Sequence, residues 1–149
     1  MAFDDRQLAA LLQTTRDFAR DMLEQTGALI PFGGQVKPDG EFEFFVLAQP
    51  GEQLTREDAY RQIETALAER AGRGDILAGV IALDMVVPEA IATPLRDAIG
   101  ILIETPDFAR FFHATFKLTP AGAQGAEGSV DYGEIVPLDA KPGIFAKLH

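Results

Sequence analysis

A chain of 149 residues with no cysteine excludes disulfides, thiol catalysis and thiolate metal sites together. Its length suits a single domain, residues 1–149, that buries roughly 70% of its unfolded surface. With 13 Lys and Arg against 23 Asp and Glu, the net charge of −10 speaks against nucleic acid and against an anionic membrane surface as partners.

The start, MAFDDRQLAALL, has two acids where an export signal carries positive charge, and no apolar run reaches the roughly 18 residues of a membrane span. The expectation is a cytoplasmic protein. Asp4 to Gln25 predicts an amphipathic helix, with Leu8, Leu11, Leu12, Thr15, Phe18, Met22 and Leu23 at the spacing of one helical face. Asp4 and Asp5 can cap it, and Gly27 suits a left-handed end. Pro38-Asp39-Gly40 is a turn signal and predicts a hairpin with strands near Ile30–Val36 and Glu41–Ala48. Within it Phe42, Phe44 and Val46 share one face, and Phe45 and Leu47 the other. Gly33-Gly34 inside the first strand predicts a bulge, or alternatively a close approach of a backbone or a ligand. No Lys-Ser/Thr follows, so the pair is not a phosphate-binding loop.

Thr55 with Asp58 three residues on opens a second helix, buried through Ala59, Tyr60, Ile63, Ala66 and Leu67. Gly72-Arg73-Gly74 stops it. Three apolar runs follow: DILAGVIALDMVV, DAIGILIET and FARFFHATFKL. They read as three successive strands, the first apolar on both faces as a strand covered on both sides should be. PEAIATPLR between the first two predicts a surface loop or a crossing segment, and Thr105-Pro106-Asp107 a short turn. TPAGAQGAEGS, residues 119–129, predicts a mobile Gly/Ala-rich loop, and the tail one further short edge strand. The order is α-β-β-α-β-β-β(-β), an α+β fold. Two helices against one antiparallel sheet of five to six strands predict a two-layer domain.

Gly27 to Gly34 (GALIPFGG) and Asp39 to Glu41 (DGE), after an amphipathic helix, with Asp97-Ala98-Ile99 opening an apolar strand, resemble a group of small uncharacterised bacterial α+β proteins. The resemblance implies a fold and a bacterial origin, and no activity. The element order is also similar to that of profilin-like and roadblock-type domains, which as an analogy implies a protein-binding or dimerising scaffold.

Nucleophilic triads fail on inventory, because the one serine, Ser129, lies at the end of the small-residue loop. His113 is the one internal histidine. Asp84 is an acid on an otherwise apolar face, and if the three central strands are neighbours, Asp84, Glu104, His113 and Lys117 can share a wetter face. That set reads as an acid/base pair, a weak metal site, or a half-exposed His beside a salt-bridged Asp. Glu41 and Glu43 read as solvated carboxylates protecting an edge.

Two functions follow. One is a non-catalytic binding or dimerisation module with a protein partner, an immunity-like inhibitor of a basic protein being one example. Its interface would use Phe45, Leu47 and Phe111 on the side away from the helices. The alternative is a small-ligand-binding protein or enzyme with its site at Asp84 and His113, or at Gly33 and Gly34. Neither reading calls for a cofactor or a metal.

Overall fold

A computed structural model describes residues 4–47, 54–87, 89–90, 95, 97–119 and 128–145. Helix α1 (Asp5–Thr26) begins where the Asp4 side chain accepts from the Gln7 amide and the Gln7 side chain accepts from the Asp4 amide. This reciprocal pair satisfies two donors the first turn leaves open. It ends at Gly27, whose φ of 76° is left-handed and free of side-chain strain only in glycine. Helix α2 (Arg56–Gly72) is capped by the Thr55 hydroxyl on the Asp58 amide, and Gly74 turns the chain out with a φ of 74°.

The strands are β1 (Phe32–Val36), β2 (Phe42–Phe45), β3 (Ala78–Val86), β4 (Asp97–Glu104), β5 (Ala109–Thr119) and β6 (Ser129–Asp139). They form one sheet in the order β2-β1-β3-β4-β5-β6, antiparallel throughout. The α+β fold, strand count and element order thus follow the sequence reading. Gly40, with φ of 91°, and the Asp39 carboxylate on the Glu41 amide make the expected hairpin turn. The final strand is longer than the short edge strand expected, at 11 residues. Residues 120–127 of the small-residue loop lie outside the described residues, as do Gln49 to Glu52 and most of PEAIATPLR. β3 and β4, the strands on either side of that last segment, pair directly.

The layering differs from the expectation. Leu11, Ala19 and Leu23 of α1 pack on Val80, Ala82, Ile99, Ile101 and Ala114. Ile63, Leu67 and Ala71 of α2 pack on Ile81, Leu83 and Leu102. Those strand residues alternate, so the helices cover opposite faces and the domain has three layers. β3, apolar on both faces from Ala78 to Leu83, requires this, because a single layer of helices would leave Ile81 and Leu83 in water.

Gly33 and Gly34 form no bulge. Gly33 stands opposite Phe45 and Ile81, and Gly34 opposite Phe44 and Val80, in unbroken register. A Cβ at Gly33 would lie 2.5 Å from the Phe45 ring, and one at Gly34 2.7 Å from the Phe44 ring. Aromatic side chains of β2 therefore lie over both glycines and fill the space that a side chain or a ligand would need. The register irregularity of the sheet falls instead in β5–β6, between Ala114 and Phe116.

Candidate functional site

The pairing register decides which of the singled-out residues meet. Asp84 lies opposite Ile99, and Ile99 opposite Ala114; Leu83 lies opposite Gly100, and Gly100 opposite His113. Directly opposed residues share a face, so Asp84 is on the α1 face and His113 on the α2 face. They do not form the shared wet face the sequence suggested. Among the described residues no three His, Asp or Glu side chains gather as a metal site needs.

Glu104, expected on that wet face, is fully buried. Its carboxylate accepts from the amides of Gly143 (2.8 Å), Ile144 (3.0 Å) and Phe145. The tail segment 140–145 is thereby laid across the α2 face as a strap, with Ile144 and Phe145 buried in the α2 cluster. Glu64 of α2 lies against Gly143. Burial, then the neighbouring Glu104 charge, pushes its carboxyl above the usual range.

Phe45, Leu47 and Phe111 belong to the same α2 cluster. The Arg70 guanidinium sits 4.5 Å over the Phe45 ring. The face these residues occupy is therefore covered by α2, and Phe45 and Leu47 do not form a surface turned away from the helices. Sheet edges are also guarded. Lys37 Nζ lies 3.5 Å from Glu41 and 3.7 Å from Glu43 beside β2, and β6 carries exposed Asp131, Glu134, Pro137 and Asp139. Charges and a proline on an edge oppose strand addition.

What α2 leaves open is a groove of about 560 Å³ along its first half. Arg56, Glu57, Tyr60, Arg61 and Glu64 form the wall, and Leu83, Met85 and Phe111 the floor. The volume is that of a small-molecule site, roughly 300–1,000 Å³, and the apolar floor with a few polar groups above it is the usual composition. Tyr60 is pushed up to about 12, first by burial and then by the Glu64 and Glu104 charges, so its hydroxyl stays protonated and able to donate. Asp84 reaches this groove indirectly. It lies past the last β1–β3 pair, Phe32–Ala82, and its carboxylate pairs with Arg56 Nη2 at 3.3 Å. Both side chains are about half exposed, so the pair orients Arg56 at the groove more than it adds stability.

His113 is 3% exposed, and both of its ring nitrogens are buried without a hydrogen-bond partner among the described residues. Leaving such a group unpaired costs roughly 1–3 kcal/mol. Its ring meets Phe111 edge-on at 5.2 Å, and burial lowers its pKa below the ordinary histidine value. The residues that sequence reasoning missed, Tyr60 and Met85, carried no separate signal; they read as the buried stripe of a helix and of a strand. No family model, curated protein or solved structure matches the chain, and among the described residues no helix is long and apolar enough to cross a membrane.

Proposed function

We propose that the protein is a non-catalytic binding module and that its binding surface is the groove between the first half of α2 and the β3–β5 floor. One observation carries the reading: the side chains of Leu83, Met85 and Phe111 floor an open groove beside α2, while Ile81, Leu102 and Glu104 on the same face are buried. A small, largely apolar molecule fits that composition, with Arg56, Arg61 and Tyr60 available to its polar parts. Catalysis is not proposed, because no Ser, Thr, Cys or His is among the described residues that line the groove.

The test is methyl NMR with small aromatic probes, such as toluene and benzyl alcohol. The Met85 methyl should shift saturably while the Met22 methyl, packed with the α1 cluster, stays still. Phe111→Ala should weaken binding about tenfold, the equivalent of roughly 1.4 kcal/mol. A Met85 signal that no probe moves would sink the reading.

Self-association is a second reading with its own observation. Ile30, Val46 and Val86 are 45%, 42% and 59% exposed. Because β1 runs antiparallel to both β2 and β3, the start of β1 and the ends of β2 and β3 meet at one end of the sheet. Clustered apolar exposure of this kind marks contact surfaces. Sedimentation should then give a dimer that Val86→Lys dissociates; a monomer at all concentrations rejects it.

A further inference from the structure

His113 and Gly100 face each other across the β4–β5 pair, on the groove side of the sheet. Gly100 has no side chain, and that space is taken from both sides. A Cβ there would collide with Met85 Sδ and lie 2.7 Å from Phe111 Cζ. Met85 and Phe111 are also the groove floor. The same two side chains that floor the groove therefore close over Gly100, next to the imidazole. Two buried nitrogens without partners among the described residues are rare in a folded protein and call for an occupant or a role. Met85 is the flexible half of the cover, an unbranched thioether chain that repacks readily, whereas Phe111 is held edge-on against His113.

We infer that His113 is the buried polar recognition group of the groove, reached when Met85 swings aside, and that it takes a small apolar ligand carrying an uncharged hydroxyl or carboxamide. This rests on the groove being the binding surface. A neutral imidazole has one N–H donor and one lone pair. An alcohol or primary amide can both give and accept, so it satisfies such a ring without bringing charge. Burial, which disfavours the imidazolium, leaves His113 unable to offer a matching cation to a carboxylate at that depth. Gly100 suits the role, since any side chain there would occupy the space the ligand's polar head must enter.

The experiment follows the side-chain nitrogens of His113 in the full-length 15N-labelled protein, where His149 is the one other histidine. Toluene, benzyl alcohol, benzamide and benzoate are titrated in turn. Benzyl alcohol and benzamide should shift the His113 nitrogens and bind about tenfold tighter than toluene, the worth of one good hydrogen bond. In His113→Phe the preference should vanish while toluene binding persists. If the probes move the Met85 methyl and leave the His113 nitrogens unmoved, the inference fails and the groove reading stands. Benzoate binding as tightly as the alcohol overturns the uncharged class. If no probe moves Met85, the groove reading itself has failed and takes the inference with it. The nitrogen shifts are read in the unaltered protein, so a variant that did not fold would leave the decision intact.

Discussion

Glu104→Ala should cost about 4 kcal/mol of folding stability and free the strap. The carboxylate accepts three successive amides, from Gly143, Ile144 and Phe145, and bonds to a charged group are worth roughly 1.5–3 kcal/mol each. Their sum is not the expected loss. Once the carboxylate is gone the strap can leave the sheet and return its amides to water, so the loss is capped by what docking contributes. Undocking exposes Ile144 and Phe145, which are 3% and 2% exposed in the fold, at roughly 1.5–3 kcal/mol for each side chain. A fall of about 4 kcal/mol moves Tm by roughly 8–16 °C in a domain of this size. Hydrogen exchange at Ile144 and Phe145 should become fast while the β3–β4 ladder stays protected, because the strap opens as a local unit. Glu104→Gln should fall between the two, since an amide presents donors of its own to amide donors. A Glu104→Ala protein that melts within a degree or two of wild type would show that the strap is held by its apolar residues alone.

That buried acid shows where sequence reasoning stopped. The α1 helix, its Asp4 cap, the Gly27 end and the Pro38–Gly40 turn were legible, because each rests on residues within a few positions of one another. Strand identity in β3, β4 and β5 was legible from long, largely apolar runs. The partners of Glu104 lie 39 to 41 residues away, and an acid closing a strand ordinarily reads as solvated. Layering was in principle readable. A β3 apolar on both faces needs cover on both faces, and with two helices in hand one must go to each.

Of the residues that line the groove, the sequence reading named Phe111 alone as a candidate. His113 and Asp84 stand out in the sequence because a titratable group within apolar runs is costly unless it has a reason to be there. Their relation turns on pairing: a shift of one residue in the β3–β4 or β4–β5 register exchanges the faces, and nothing local to either strand sets that register. The glycine pair of β1 misled for a related reason. Its explanation, the Phe44 and Phe45 rings lying over it, belongs to the next strand.

Phe32→Ala should be the most damaging single truncation on the α1 face, with a loss of roughly 3–5 kcal/mol. Phe32 is fully buried and meets Phe18 of α1 at 4.8 Å and Phe44 of β2 at 5.9 Å, both edge-on. Phe18 and Phe44 stack on each other at 5.0 Å. The three rings join a helix, an inner strand and an edge strand, and each such pair adds roughly 0.5–1.5 kcal/mol beyond its buried area. The damage should not spread evenly. β2 is four residues long, and β1 is its one neighbour in the sheet, so its order depends on Phe42 and Phe44 having a surface to pack on. With Phe32 gone, amides of β2 should exchange early while β4 and β5 keep their protection. Phe18→Ala and the double variant complete a cycle, in which contacting rings should show a coupling of at least roughly 0.5 kcal/mol. Additive losses would mean that the two rings contribute independently. A loss at Phe32 under about 1.5 kcal/mol, less than the range for an emptied phenylalanine site, would move the organising contact of this face to the α1 aliphatic stripe on β4.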